Sequence, residues 1–279
     1  MSKACPQAAY FKGSPPNLSS SHQLTFPKAS QKMYACLKLS SSKALLKIDG
    51  IADFLVSNGE TIHYELHNKK LSFTGYLHSF VTGLLLLQRG HLLLHGNSCI
   101  WHNKHIAFCG DSGSGKSSLA AQFHQAGALF FCDEIICFDN KNNNILPGFP
   151  FLRLWKNDLD FNQFDSLLTS KLWDDEEKYK LDTSNQKFDQ ESKLDFLIYL
   201  ETDETLDSPR IEEVKGLEKV KTFWETYYHR PVIEAMALEQ QFNQQSFTIL
   251  QELRVFKLSR PSQSESRLEC FELVKKALK

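Results

Sequence analysis

The residues with the clearest chemical potential are a glycine-rich loop and an acidic pair, Asp133-Glu134, that follows it. Glycines let the loop backbone bend so that successive N–H groups point at phosphate oxygens, where a Cβ would crowd the ligand. Lys116 is expected to reach the β- and γ-phosphates, and the Ser117 hydroxyl to ligate Mg²⁺. The predicted nucleotide-binding residues are Gly110, Asp111, Ser112, Gly113, Ser114, Gly115, Lys116, Ser117 and Ser118. These residues predict phosphoryl transfer.

The segments around the loop predict how it is held. Residues 106–109 are predicted to form a strand. Residues 117–126 are predicted to form a helix whose N-terminus faces the phosphates bound by the loop. Residues 129–132 read as a second strand. The three segments predict a βαβ unit with parallel strands and a right-handed crossover. Both strands then end at one edge of the sheet, which places Asp133 beside the loop.

Bulk composition narrows the class of protein. The 279 residues are 42% apolar, enough for one substantial core and a smaller appendage. The 32 Lys and Arg nearly cancel the 33 Asp and Glu, so nucleic acid is not predicted as a ligand. The longest apolar run, residues 80–87, is too short to span a bilayer, and no secretion signal is predicted. Seven cysteines without a Cys-x-x-Cys pair are typical of reduced thiols in a cytoplasmic protein.

Three regions are predicted along the chain. Residues 1–30 are rich in Ser, Pro, Lys and Gln, which is typical of a flexible tail. Residues 31–90 predict a small β-rich lobe with a connecting helix, and Asn58-Gly59 predicts a hairpin turn within it. Residues 91–279 predict the catalytic domain.

Within the third region, the pattern predicts several further elements. The charged segment 173–192 is open to two interpretations, a solvated surface excursion or a mobile loop facing the substrate. Other segments are predicted from apolar periodicity: strands at 91–95, 96–104, 194–200, 247–250 and 255–258, and helices at 219–239 and 265–278.

From about Gly90 onward, the chain resembles the catalytic domain of HPr kinase/phosphorylase. It is more similar to the HPr-kinase-like proteins of bacterial gene clusters, some of which are kinases that tailor lasso-peptide precursors. Besides the glycine-rich loop, the resemblance rests on these segments in this order: His95-Gly96, Cys132-Asp133-Glu134-Ile135, Pro147 to Trp155, Ile198-Tyr199-Leu200, Tyr228-His229-Arg230-Pro231 and Arg254 to Pro261.

The resemblance implies an α/β fold, a P-loop kinase core of the HPr kinase and phosphoenolpyruvate carboxykinase type. It also implies ATP with Mg²⁺ as cofactor and transfer to a serine hydroxyl of a peptide or small protein. The family's base for that serine corresponds to Asp133, and the family's active-site histidine corresponds to His95. The family usually has a second Asp where this chain has Glu134. Family members often form multimers, so a homo-oligomer is compatible with the resemblance.

Some roles have more than one interpretation from the residues alone. Asp133 is either the base or a ligand of the magnesium, and Glu134 is either a metal ligand or a structural carboxylate. Lys116 neutralises the transferred phosphate in each case. Arg153 and Arg230 are candidates for phosphate contacts or for ordinary ion pairs.

The identity of the phosphate acceptor also has more than one interpretation. The Arg-Gly-Leu-Gly-Ile-Ile signature of true HPr kinases is missing from the sequence, so HPr itself is not predicted as the acceptor. A kinase of a small hydroxylated metabolite and a nucleotide-binding protein without transferase activity remain alternatives.

Overall fold

A computed structural model describes residues 21–26, 33–67, 73–164, 169–172, 177–262 and 265–279. The chain divides into two compact units. The first contains Met1–His91, Leu172–Glu176 and His229–Gln241. The second contains Leu92–Lys171, Glu177–Tyr228 and Phe242–Lys279.

The first unit contains an antiparallel sheet of five strands in sequential order. The strands are β1 (Ser21–Phe26), β2 (Met33–Leu39), β3 (Lys43–Ile48), β4 (Ala52–Ser57) and β5 (Thr61–Leu66). In β3, every second residue is buried, as expected for a strand with one covered face. Asn58 and Gly59 have positive φ angles of 57° and 64° between β4 and β5, which confirms the predicted hairpin turn.

The prediction of a flexible tail is wrong for Ser21–Phe26, because this segment pairs along its length with β2. Backbone hydrogen bonding to a sheet edge can order a polar segment whose composition alone favours disorder. The rest of that predicted tail lies outside the described residues. After β5, a helical stretch runs without a break through α1 (Thr74–Tyr76), a π-helical turn (Leu77–Val81) and α2 (Thr82–Gln88).

The remaining elements complete the chain. They are β6 (Leu92–Trp101), β7 (Lys104–Gly110), α3 (Lys116–Gln125), β8 (Leu129–Cys132), β9 (Ile135–Phe138), β10 (Ile145–Leu146), β11 (Phe151–Trp155), α4 (Lys156–Asn162), β12 (Thr169–Lys171), β13 (Lys178–Asp182), β14 (Phe196–Thr202), β15 (Arg210–Val214), α5 (Gly216–Glu225), α6 (Arg230–Ala235), α7 (Glu239–Leu250), β16 (Arg254–Arg260) and α8 (Arg267–Ala277). The fold is therefore a mixed α/β fold with more than one sheet. No helix among the described residues is long and apolar enough to cross a membrane.

The main sheet of the second unit has the order β10-β9-β6-β7-β14-β16-β15, and β8 also pairs with β6. β7, β14 and β16 run parallel to one another. The predicted βαβ unit needs one correction, because β6 lies between β7 and β8 and pairs antiparallel with both. β7 and β8 therefore run in the same direction without being neighbours, and both end at the same edge of the sheet.

The length of β6 explains this difference. The two predicted strands at 91–95 and 96–104 are one strand of ten residues, which is followed by a turn at His102 and Asn103. A strand of this length has room for β7 on one side and for β8 and β9 in succession on the other. The pairing depends on residues far apart in the sequence, so local periodicity does not reveal it.

Three other predictions are corrected. The charged segment 173–192 includes β13, which pairs antiparallel with β11 and β12 in a small second sheet, while residues 173–176 lie outside the described part. The predicted helix 219–239 is two helices, α5 and α6, and the predicted strand 247–250 belongs to α7. In α7, the buried residues Phe242, Ser246, Ile249 and Leu250 follow a helical spacing that the short apolar run alone does not show.

A buried apolar cluster fixes α3 against the sheet. It joins Phe108 of β7, Phe123 of α3, Ile198 of β14, Leu258 of β16 and Val274 of α8. Each of these residues is fully buried. The loop between β7 and α3 is therefore held at both ends by rigid elements.

Candidate functional site

The glycine-rich loop connects the end of β7 to the start of α3. Gly110, Gly113 and Gly115 have φ angles of 133°, 84° and 107°, a region that favours glycine. A Cβ at Gly110 would overlap the carbonyl oxygen of Leu200 on β14, whereas the space in front of Gly113 is open. Packing therefore requires glycine at 110, and backbone conformation favours it at 113 and 115.

Lys116 is the first residue of α3, and its side chain folds back over the loop. Its Nζ donates hydrogen bonds of 2.8 Å to the carbonyl oxygens of Gly110 and Asp111. Burial lowers the pKa of Lys116, while nearby acidic groups, including Glu134 and Asp133, raise it. The ammonium group is therefore bonded to the loop and interacts electrostatically with the acidic pair.

Arg260, at the end of β16, holds the loop from another side. Its Nε donates to the carbonyl oxygen of Ser114 at 2.8 Å, and its Nη2 donates to that of Gly113 at 3.0 Å. In a trans peptide, the N–H points opposite to the C=O. Because Arg260 binds the carbonyl oxygen of Ser114, the N–H of Gly115 points away from Arg260. A loop that presents its amides to an anion requires this orientation.

Asp133 follows the last residue of β8 and faces β6. Its Oδ1 accepts a hydrogen bond of 2.6 Å from the Asn97 side chain, and its Oδ2 accepts one of 2.8 Å from the backbone N–H of Arg153. Burial raises the pKa of Asp133 to about 6, although the Arg153 guanidinium lowers it. The carboxyl group is therefore fixed in position and titrates near neutrality.

Glu134 occupies a left-handed conformation with a φ of 72° in the break between β8 and β9. This conformation is strained for a residue other than glycine, and such strain persists where surrounding contacts maintain it. Here the carboxylate is 3.0 Å from Nη1 of Arg153 and 3.9 Å from Nδ1 of His95. The strained backbone thus brings a second carboxylate to the same region as Asp133.

His95 lies on β6, near Glu134. The centroid of its ring is 6.0 Å from the centroid of the Tyr228 ring. Burial lowers the pKa of His95, and Glu134 partly opposes this effect. The imidazole is therefore mainly neutral at pH 7. In this form, one ring nitrogen can donate a hydrogen bond and the other can accept one.

One cavity of about 220 Å³ brings most of the predicted residues together. The predicted residues that line it are His95, Ser112, Gly113, Gly115, Lys116, Ser117, Ser118, Asp133 and Glu134. The sequence did not indicate four other lining residues: Asn97, Trp155, Asp158 and Lys178. Gly110, Asp111 and Ser114 do not line this cavity. Gly110 and Asp111 bind Lys116, and Ser114 binds Arg260.

The two arginines suggested as phosphate contacts both have carboxylate partners. Arg153 is 95% buried and forms an ion pair with Glu134. Arg230 belongs to the first unit, where its Nε donates to Glu234 at 3.1 Å. Neither lines the cavity. Lys178 does, and it comes from the charged segment 173–192, for which a loop facing the substrate was one of two interpretations.

Comparisons with known proteins give distant structural similarity to solved structures. No protein-family model and no curated protein matches the sequence. Among solved structures, the chain is similar to the Hpr(Ser) kinase/phosphatase from Coxiella burnetii, with 14% identity and a TM-score of 0.35. The match covers 67% of this chain and 90% of that one. Because the similarity is so distant, the function must be inferred from the site itself.

Proposed function

We propose that this protein is an ATP-dependent kinase that transfers the γ-phosphate to a serine hydroxyl of a peptide or small protein. One observation supports this proposal most strongly: a buried carboxylate, Asp133, shares a cavity with Lys116 and the glycine-rich loop. Phosphoryl transfer to an alcohol needs anion binding, charge neutralisation and a proton acceptor in one place. These three groups can supply all of them.

The loop and Lys116 are suited to the phosphates. Backbone amides at the start of α3 and the positive end of the helix favour a bound anion. Lys116 now donates to two loop carbonyls, and phosphate oxygens are stronger acceptors for the same ammonium group. Lys178 adds a second cation to the lining of the cavity.

Asp133 is suited to accept the proton of the acceptor hydroxyl. As the serine oxygen bonds to the γ-phosphorus, the bond from phosphorus to the bridging oxygen breaks, and ADP leaves with that electron pair. The hydroxyl proton passes to Asp133. A pKa of about 6 makes this carboxylate a stronger base than an ordinary aspartate, yet it remains mostly ionised at pH 7.

The donor set also fits magnesium. The Ser117 hydroxyl and the Glu134 carboxylate line the same cavity as Asp133, and hard oxygen donors are those that Mg²⁺ prefers. Among the described residues, no group of three or more His, Cys, Asp or Glu side chains forms a dedicated metal site. This agrees with an ion held by one or two protein oxygens together with phosphates and water. When bound, the ion would neutralise charge on the phosphates.

The surface beside the cavity favours a peptide acceptor over a small metabolite. In the antiparallel pairing of β11 with β13, Trp155 lies opposite Lys178. Paired residues lie on the same face of a sheet. Trp155 is 46% exposed, and the Nζ of Lys178 is 5.4 Å from the centroid of its ring. An exposed aromatic and cationic face offers an extended chain more contact than a compact metabolite could use.

The substitution Asp133→Asn tests the proposal. We expect the variant to bind MgATP within about twofold of the wild type, and to lose at least about 100-fold in transfer, the usual contribution of a general base. Transfer would be followed with γ-labelled ATP and a peptide library containing a fixed serine. The exposed Asp189→Asn variant is the matched control and should behave as the wild type does.

The same assay separates the alternatives. Label in a hydroxylated metabolite but in no peptide would overturn the peptide acceptor. ATP binding without label in any acceptor would overturn the kinase proposal in favour of a nucleotide-binding protein. Full transfer by Asp133→Asn would overturn the assignment of the base.

A further inference from the structure

The small sheet of β11, β12 and β13 has two chemically different faces. Successive side chains of a strand point to opposite faces of its sheet. One face carries Leu152, Leu154 and Leu181, which are buried in the apolar cluster around α3. The other face, which we call the lysine face, carries the alternate residues of β11 and β13: Phe151, Arg153, Trp155, Lys178, Lys180 and Asp182.

Aromatic rings support both lysines of the lysine face. The Nζ of Lys178 is 5.4 Å from the centroid of the Trp155 ring, and the Nζ of Lys180 is 4.9 Å from that of the Phe151 ring. An ammonium group at such a distance is attracted to the face of an aromatic ring. Because both rings belong to β11, the two ammonium groups lie towards that strand.

The lysine face carries an excess of positive charge. Arg153 is compensated by the carboxylate of Glu134, 3.0 Å from its Nη1. Asp182 is the only residue of β11 or β13 with a carboxylate, and its Oδ1 accepts two hydrogen bonds from Ser184. Burial and the nearby charge of Arg153 both lower the pKa of Lys180. A carboxylate supplied by a ligand would offset this repulsion between cations.

The lysine face adjoins the proposed base. The backbone N–H of Arg153 donates to Oδ2 of Asp133, so the middle of β11 lies beside that carboxyl group. Lys180 is opposite Arg153 on the neighbouring strand, and paired strands lie about 4.8 Å apart. An extended peptide advances about 3.4 Å per residue. A peptide with its serine at Asp133 can therefore bring a nearby side chain to Lys180.

We propose that the lysine face binds an acidic side chain of the acceptor peptide, within about three residues of the phosphorylated serine, and that Lys180 selects it. Charge complementarity supports this occupant. A glutamate or aspartate is attracted to the face, whereas a lysine or arginine in the same place is repelled. This inference rests on the proposed function, since it requires a serine peptide as acceptor.

Pairs of peptides test the inference on the unchanged protein. Each peptide has one serine and a C-terminal amide, so that side chains supply its only carboxylates, and it carries Glu or Gln at one position near the serine. At one or more positions, we expect Glu to raise kcat/KM over Gln by at least about tenfold, the effect of a close charge pair. Peptides with alanine in place of the serine give the affinity by calorimetry, and added salt should weaken only the Glu peptide.

A charge reversal assigns the preference to Lys180. Lys180→Glu should favour a Lys peptide over the Glu peptide, and Lys180→Met, which keeps the apolar stem, should have no preference. Neither variant should change the affinity for MgATP, because Lys180 does not line the cavity beside the loop. The control is Lys171→Glu. This exposed lysine lies opposite Tyr179, on the other face of the same sheet, so the variant should keep the wild-type preference.

The outcomes separate this inference from the proposed function. Equal kcat/KM for the Glu and Gln peptides at every position would overturn the selection of an acidic side chain and leave the kinase proposal intact. A Glu preference that persists in Lys180→Met would overturn the role of Lys180. Absence of transfer from ATP to any serine peptide would overturn the proposed function, and this inference with it.

Discussion

Asp133 combines a chemical role with an energetic cost. Its two hydrogen bonds and its burial hold the carboxyl group still, but burial also disfavours the charged form that a base requires. A surface aspartate would be ionised without cost and would be a weaker base. The free energy that the fold loses by ionising Asp133 should therefore be measurable.

The pH dependence of stability measures this cost. The folded-state pKa of Asp133, about 6, lies above the ordinary 3.8. A raised pKa stabilises the fold below about pH 4, and this contribution is lost as the pH rises through about 6. The unfolding free energy of Asp133→Asn, relative to wild type, should therefore rise by up to about 3 kcal/mol between pH 4 and pH 7.

Denaturant titrations of both proteins across this range provide the measurement. The exposed Asp189→Asn variant, titrated in the same way, is the matched control. A flat difference for Asp133→Asn would mean that the buried carboxyl group is not the source of the cost.

At the residue scale, local spacing predicts only part of the site. Lys116, Ser117 and Asp133 could be found from the sequence because the loop, the helix and the next strand lie within 25 consecutive residues. Lys178 reaches the cavity because β13 pairs with β11. A lysine in a charged run carries no pattern that separates it from surface residues.

At the scale of elements, the end of β16 stabilises the loop. Arg260 donates to two successive loop carbonyls, so the loop holds its bent conformation before any ligand binds. A binding site that is already ordered avoids the entropic cost of ordering on binding. The affinity for phosphates should therefore depend on a residue that need not touch them.

Two arginines of β16 provide a matched comparison. Arg260→Leu should weaken MgATP by about tenfold, because the free loop samples conformations that cannot bind. Arg254, on the same strand, forms an exposed ion pair with Glu213, and such pairs contribute little. Arg254→Leu should leave the affinity unchanged in the same calorimetric titration. An equal loss in both variants would indicate general damage to β16 rather than release of the loop.

The elements themselves were predictable where the signal is local. The strand before the loop, α3, the Asn58-Gly59 hairpin and α8 follow from periodicity and turn chemistry. The insertion of β6 between β7 and β8 did not follow, because strand order depends on pairing between distant segments. The assignment of residues 247–250 to a strand failed because four apolar residues fit either period.

At the scale of the whole molecule, the candidate site draws its residues from the second unit alone. They come from β6, the loop, the start of α3, the break between β8 and β9, β11, α4 and β13. Segments far apart in the chain thus meet at one edge of the main sheet, and a ligand bound there would connect them.

Hydrogen exchange tests this distribution of contacts. MgATP should slow amide hydrogen exchange at residues 110–118 and 133–134. A bound ligand makes the local opening that exposes these amides to solvent less frequent. Amides of β3 and β4 in the first unit should exchange at the same rate with and without MgATP. Protection found mainly in β3 and β4 would contradict the placement of the nucleotide.

The left-handed backbone at Glu134 has an evolutionary consequence. Glycine at this position would relieve a strain on the order of 1 kcal/mol but would remove the carboxylate. In a lineage freed from selection for chemistry, random substitution would tend to carry position 134 towards glycine or asparagine. A glutamate that persists there in descendants would mark lineages in which selection still favours the carboxylate over the more relaxed chain.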